Sequence, residues 1–374
     1  MFEVIYNFLT RKIDLFLQKN WLLKTTLCSL VCSVLFSSPS FSKLQSLERS
    51  VITKLVENQI DHPFVQQNHN AESHYSKRAF RLFMPIVAKT LHLSVSGLLI
   101  LQAIFGVLFF YFSAKLLYRY SNEKIGTFLF VVGLSGIYLG KSFFLDYWLF
   151  FDGVAFFFIL LSMYFRNPIL IFLSISCAFW TDERSLGAAF AIMVFHLFVS
   201  NKKNGSFDWA LKQLIPLFVA LCVYVFMRIF LSTRFGLTIA YEGIGPIWSI
   251  QNFVKYMPLA IFMFFESYWL LILSGFLYLI YKADDSMKIM IILFVLILLG
   301  QMIVALSVGD MVRSGTYAFV FCYISYFIIQ SFESNKKVVN SIMLLVASLA
   351  YLVPSYSVFG NKTIWMRPEF FVLF

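Results

Sequence analysis

The sequence predicts an all-α, polytopic membrane helix bundle with about eleven transmembrane helices and a large first outer loop carrying surface helices. Two observations lead there. Apolar residues make up 60% of the 374 residues and charged residues only 13%, about half the usual share in a soluble domain. The apolar residues also fall in long unbroken runs. The alternation over ~10-residue strands of an outer-membrane barrel is missing, so backbone satisfaction in lipid demands helices of ~20 residues.

The helices are read in order at about 21–41, 95–117, 125–142, 147–165, 168–180, 185–200, 213–231, 257–281, 289–308, 315–331 and 338–358. The organisation follows: a cytoplasmic segment 1–20, a first helix 21–41, an outer loop 42–94, ten further helices over 95–358, and an outer tail 359–374. The first helix has a short core, Leu27 to Phe36, followed by Ser37-Ser38-Pro39-Ser40. A cleaved signal peptide fits this pattern, but the basic lead favours a retained anchor. The fifth and sixth helices are short enough for a re-entrant hairpin.

The net charge of +11 does not indicate nucleic acid. Basic residues sit in short gaps between apolar runs, as membrane topology requires. With a cytoplasmic N-terminus, the inner gaps carry pairs such as Arg11-Lys12, Lys202-Lys203 and Lys336-Lys337. The short outer loops carry isolated basic residues, giving an excess of about two to one. The C-terminus then lies outside. The five cysteines, Cys28, Cys32, Cys177, Cys222 and Cys322, fall within apolar runs and read as packing residues without disulfide or zinc spacing.

In loop 42–94, Leu44, Leu47, Val51, Leu55, Val56 and Ile60 recur at mostly three- and four-residue spacing, which predicts an amphipathic surface helix. Asp61-His62-Pro63 ends it. A polar stretch with His69, Glu72 and His74 follows; its histidine spacing is no metal pattern. Lys77-Arg78-Ala79-Phe80-Arg81 opens a second amphipathic segment, with a kink expected at Pro85.

Chemistry-capable groups gather on the outer side. Asp146 and Asp152 are six residues apart, which on one helix puts Asp152 about 9 Å deeper. A charge at that depth marks a partner, a cavity or a site. Thr181-Asp182-Glu183-Arg184-Ser185 joins two short helices; Thr181 or Asp182 would cap the second, and Arg184 suits a phosphate oxygen. In Gly309-Asp310-Met311-Val312-Arg313, Asp310 reads as a cap with a local ion pair or as a ligand group, and Arg313 faces the same layer. Arg228 and Glu266, inside the seventh and eighth helices, read as a structural pair or as partners of other helices. His196 reads as a satisfied core residue. Nucleotide, dinucleotide, zinc-protease and nucleophile-elbow motifs are missing, and no pair of Gly/Pro-broken helices marks a transporter.

The layout resembles the class C (GT-C) superfamily of polytopic membrane glycosyltransferases. The features that carry the likeness are the N-in start, the large first outer loop with Asp61, the stretch Lys77 to Pro85, Thr181-Asp182-Glu183-Arg184, and Asp310 with Arg313. The resemblance implies sugar transfer from a polyprenyl-phosphate carrier at the outer face, for cell-envelope polysaccharide, in a bacterial inner membrane. Such chemistry needs a base for the acceptor hydroxyl and cations for the leaving phosphate. Asp61 is the first choice as base and Asp146 the second. Arg184 and Arg313 are candidates for the phosphate, Arg78 and Arg81 stand at the lip, and Asp152, Asp182, Glu183 and Asp310 complete the substrate-binding set. The sequence leaves the sugar, the acceptor, a divalent-metal requirement and the oligomeric state open. A transporter or flippase of a lipid-linked sugar or other anion is the second reading, and a noncatalytic membrane subunit the third.

Overall fold

The computed structural model describes residues 2–37, 51–66, 78–146, 148–202, 207–238, 254–282, 287–353, 356–359 and 362–365. Over these the protein is almost wholly α-helical. The helices are α1 Phe2–Leu17, α2 Trp21–Ser37, α3 Val51–Asp61, α4 Phe83–Leu91, α5 Val95–Ser121, α6 Lys124–Ser135, α7 Tyr138–Leu145, α8 Asp152–Tyr164, α9 Pro168–Thr181, α10 Ser185–Lys202, α11 Phe207–Phe235, α12 Met257–Phe265, α13 Tyr268–Lys282, α14 Lys288–Leu306, α15 Met311–Thr316, α16 Val320–Phe332 and α17 Lys336–Leu352. A two-stranded antiparallel hairpin follows, β1 Tyr356–Phe359 and β2 Lys362–Trp365.

Among the described residues four helical stretches are long and apolar enough to cross a membrane: Val95–Ser121, Leu211–Phe235, Lys288–Leu306 and Met311–Phe332. The count reaches six if each bent pair, α6–α7 and α12–α13, is one span. Four shorter apolar helices, α2, α8, α9 and α10, stand beside them.

Burial sorts these helices. Only 17% of the apolar window of α14 is buried. Its exposed Ile289, Ile292, Leu296, Leu299 and Ile303 recur at alternating three- and four-residue steps, so one helical face is turned outward. In lipid such a face needs no protein cover. In Met311–Phe332 the 18-residue apolar window is 100% buried. It is ringed by α5, α10, α13 and α14, and so forms the axis of the bundle. Small residues let the helices close on it: a Cβ added at Gly275 would lie 2.7 Å from the Ser325 backbone, the close approach that membrane helices use in place of a hydrophobic drive. Aromatic rings fill the rest, with Phe130 packed against Tyr268, Tyr323 and Tyr326 at centroid distances of 5.0–5.3 Å.

Every segment predicted to span the membrane contains helix, with differences at the breaks. Residues 125–142 form two helices bent by 52°, and 254–282 two helices bent by 78°. The expectation of unbroken helices is thus corrected. Glu266 adopts φ 49° at the second break. The predicted fourth helix begins at Asp152 rather than 147, so Asp146 and Asp152 are joined by a loop and not by one helix. The last helix ends at Leu352, and a hairpin lies where helix and tail were expected. Residues 2–17 are helical, which the apolar-run reading missed. Pro85 falls in the first turn of α4, where its missing N–H costs nothing, and introduces no break. In loop 42–94, α3 reproduces the second half of the expected surface helix; Leu44, Leu47, His69, Glu72 and His74 lie outside the described residues.

The bundle has two chemically different ends. At one, Arg119 Nη1 donates to the Tyr164 carbonyl at 2.6 Å, and Lys115 and Arg119 lie over the Tyr164 ring. At the other end of α8, about 18 Å away at the helical rise, stands Asp152.

Candidate functional site

The turn Arg78 to Arg81 is fastened from outside the bundle. Gln59 of α3 donates to the Arg78 carbonyl at 3.1 Å, and Arg81 N–H bonds the same carbonyl at 2.9 Å. Phe80 and Leu82 are buried against Leu231 and Leu237. The surface helix thereby presents two arginines to the end of α8.

Asp152 is the hub. Its side chain has no exposure, so in an apolar bundle its charge requires close partners. The carboxylate accepts from Arg313 Nε at 2.5 Å and Nη2 at 3.0 Å. It also accepts from Arg184 Nη2 at 2.9 Å, the Tyr138 hydroxyl at 2.9 Å and the Tyr317 hydroxyl at 3.1 Å. Five donors exceed the roughly four lone-pair positions of a carboxylate. Asp152 therefore holds other groups in place and has no basicity left for chemistry.

The neighbouring groups are paired in the same way. Arg184 grips Asp182 in a fork, with Nε to Oδ1 at 2.8 Å and Nη2 to Oδ2 at 2.6 Å, and donates to Ser314 Oγ at 3.3 Å. Arg81 reaches Asp182 at 3.0 Å and Glu183 at 3.0 and 3.2 Å. Arg313 bonds Asp310 one turn back. The predicted capping role for Asp310 is corrected: its carboxylate faces Arg313 and makes no cap hydrogen bond. Asp182 Oδ1 does take the Arg184 N–H at 2.9 Å, closing the turn before α10. Burial by itself would raise the Asp182 carboxyl, but Arg184 and Arg81 outweigh it and hold the group below its ordinary value. For Asp310 burial wins, with Asp152 adding repulsion, and the carboxyl is raised. Its Oδ1 is buried without a hydrogen-bond partner among the described residues.

The loop from Asp146 to Asp152 forms the floor. Leu149 and Phe151 both take left-handed conformations, φ 59° and 62°, which bulky residues rarely adopt and which must be held by their surroundings. Two charged groups do this. Asp146 accepts the N–H groups of Phe150 at 3.2 Å and Phe151 at 2.6 Å. Arg78 Nη2 donates to the carbonyls of Trp148 at 3.1 Å and Leu149 at 2.5 Å. The Phe150 ring meets both cations, with Arg313 3.5 Å and Arg78 5.2 Å from its centroid.

Asp146 and Arg78 differ electrostatically from the paired groups. Burial and the nearby Asp152 raise the Asp146 carboxyl to about 6, and each of its oxygens accepts one backbone N–H, leaving a lone pair. Burial and the adjacent Arg81 lower Arg78 to about 9, still charged at neutral pH. Arg78 ion-pairs with no carboxylate among the described residues, and its buried Nη1 has no hydrogen-bond partner there. Arg81, only partly exposed, is instead held above its ordinary value by Asp182 and Glu183.

The structure thus brings together nine of the ten predicted site residues: Arg78, Arg81, Asp146, Asp152, Asp182, Glu183, Arg184, Asp310 and Arg313. The tenth, Asp61, stands apart at the exposed end of α3. Its carbonyl accepts from Lys89 at 2.6 Å, and it borders a shallow groove with His62, Phe64, Ile86 and Thr90. Tyr138, Tyr317, Ser314 and Phe150 were missed. With 19 tyrosines and 46 phenylalanines in the chain, no local pattern distinguishes them.

Two further buried charges sit where helices break. Lys141 on α7 and Glu266 between α12 and α13 are 5% and 1% exposed. The helices α7 and α12 touch, and the Glu266 charge acts on Lys141. The pairing considered between Glu266 and Arg228 is not what the structure contains. Arg228 donates to the Tyr224 hydroxyl at 3.3 Å and covers the Phe80 ring. His196 is buried beside the Ser162 carbonyl at 3.2 Å, the core role expected of it. Among the described residues no group of three or more His, Cys, Asp or Glu is placed to hold a metal ion.

These apolar helices and the charged cluster at one end point to an integral membrane protein of the helical class. The chain matches no protein-family model, no curated protein and no solved structure.

Proposed function

We propose that the protein is a membrane glycosyltransferase, or a related polysaccharide-assembly enzyme, that takes a sugar from a polyprenyl-phosphate carrier on the outer face of the membrane. On this reading eleven helical spans cross a bacterial inner membrane, with the N-terminus cytoplasmic and the C-terminus outside. The observation that carries the reading is the strained loop 146–152. It joins a carboxylate raised to about 6 to a guanidinium with an uncommitted buried N–H, at one end of the helix bundle.

Asp146 is the base in this proposal. Near neutral pH most of it is ionised, yet it is basic enough to take a proton from an acceptor hydroxyl. Asp61 is exposed and lies away from the cluster, so Asp146 displaces it as first choice. Arg78 is the cation for the leaving phosphate, because it need not give up a carboxylate to bind one. Arg184 and Arg313 are neutralised by Asp152, Asp182 and Asp310 and shape the site. The test is sugar transfer by the reconstituted protein from polyprenyl-phosphate-linked donors. Asp146→Asn and Arg78→Ala should each lower it steeply while the protein stays folded; full transfer by both variants refutes the proposal.

A second reading, a transporter of lipid-linked sugar, draws on the two bent helix pairs. Broken helices that touch and carry buried charges are the usual setting of transport sites. It requires Lys141→Met with Glu266→Gln to abolish movement of the lipid-linked sugar between leaflets, with Asp146→Asn leaving that movement intact.

A further inference from the structure

The helix α1 offers a surface independent of the charged cluster. Its side chains fall on three faces at about 100° per residue. Tyr6, Thr10, Ile13 and Leu17 occupy one narrow arc and face the bundle, where Tyr6 and Leu17 are 5% and 1% exposed. Glu3, Asp14, Asn7 and Arg11 form a second, polar arc. The third arc spans about 120° and holds Leu15, Phe8, Phe16 and Leu9, which are 51%, 60%, 41% and 36% exposed.

Such a helix has one flank on protein, one suited to water and one suited to hydrocarbon. It fits lying in the plane of a membrane interface, where the packed side fixes its rotation. Lys12 sits in the middle of the apolar arc with its Nζ 5.6 Å from the Phe8 ring centroid. That is the posture of a basic side chain laid along apolar surface with its charge carried outward.

Position adds to the argument. Phe16 packs on Phe128 of α6, and Trp21 on Tyr118 near the end of α5. Both contacts lie at the bundle end that carries Lys115 and Arg119, opposite Asp152. Lys24 Nζ donates to the Phe16 carbonyl at 2.5 Å, and Lys337 bonds Glu3 at 2.6 Å. Arg11, Lys12, Lys19 and Lys24 thus line the region beside the apolar arc, and their charge complements anionic headgroups.

We propose that α1 is an in-plane helix that seats its Phe8, Leu15 and Phe16 face in the lipid interface and binds anionic phospholipid through Arg11, Lys12 and Lys19. The occupant is the bilayer itself. The assignment does not depend on any enzymatic activity.

The test uses the full chain in nanodiscs of phosphatidylcholine alone or mixed equally with phosphatidylglycerol. An environment-sensitive fluorescent amino acid is placed at position 8 or at position 14. Brominated lipid should quench the probe at position 8 and leave that at position 14 bright. Quenching at position 8 should be stronger in the anionic discs. Lys12→Glu and Lys19→Glu should remove that difference, each weakening the anionic preference by about fivefold. Lys12→Gln, which keeps most of the stem, should weaken the anionic preference but keep the quenching. A probe at position 8 that stays bright in both lipids overturns the in-plane placement. Quenching indifferent to lipid charge in the native chain overturns the anionic assignment.

Discussion

Asp152 and Arg313 are 161 residues apart in sequence and meet through two hydrogen bonds, at 2.5 Å from Nε and 3.0 Å from Nη2. Because Arg184 joins the same carboxylate, one buried acid ties the starts of α8, α10 and α15 together. Removing one member of a buried charged set leaves the others uncompensated.

Asp152→Ala should therefore lower stability by about 3–5 kcal/mol, read as a drop in thermal unfolding temperature of the purified protein. Asp152→Asn keeps the shape and part of the hydrogen bonding and should lose less. An alanine variant as stable as the native protein would mean that the arginines find other partners.

The pH dependence of Asp146 has a definite sign. Its carboxyl is raised from 3.8 to about 6 in the folded protein, so the folded state holds a proton that the unfolded chain has released. Its contribution favours folding below about pH 4, declines between pH 4 and 6, and is level above. Transfer activity should follow ionisation of the folded carboxyl, rising to half its plateau near pH 6, because the base must be ionised. Asp146→Asn should remove that component from unfolding curves recorded across the range.

Arg78 and Arg184 should fail differently. Arg78→Ala should reduce transfer by about 100-fold or more, since it removes the cation assigned to the phosphate, and Arg78→Lys should restore part of it. Arg184→Ala should act first on stability, because it strips Asp152 and Asp182 of a shared partner. Measuring donor KM and kcat beside unfolding temperature for each variant separates the two effects.

Gly275 tests the packing of the central helix. A Cβ there would stand 2.6 Å from the Ser325 Cβ and 2.7 Å from its Cα, and the backbone of α16 has little room to yield. Gly275→Ala should destabilise by about 1–3 kcal/mol. Gly300→Ala, where nothing lies within 4 Å, should not lower stability in the same unfolding measurement and should raise it by up to about 1 kcal/mol.

Much of this was legible in the sequence, for a physical reason. An apolar run of sufficient length has few options in lipid, so each predicted span contains helix, although several are broken or shorter than expected. A charge in such a run needs a partner, which singled out Asp152 and Glu266 before any partner was known. The partners were not legible. Tyr138 and Tyr317 look like every other tyrosine until the fold turns their hydroxyls to Asp152. The helix breaks at Gly136 and Glu266 carry no proline, because packing imposes them. Helix α1 has a third of its surface apolar and a third polar, which an apolar-run reading treats as a mere lead.

The central stretch Met311–Phe332, whose apolar window is wholly enclosed, also bears on how the chain is built into its membrane. It opens with a cationic residue that hydrocarbon alone would reject. By the time the ribosome makes Arg313, however, the counter-charge on Asp152 has long been synthesised. The stretch can thus enter a ring of earlier helices that already offers a seat for its charge. Variants lacking that acid are expected to stall at this late step of assembly, leaving the final two helices poorly inserted.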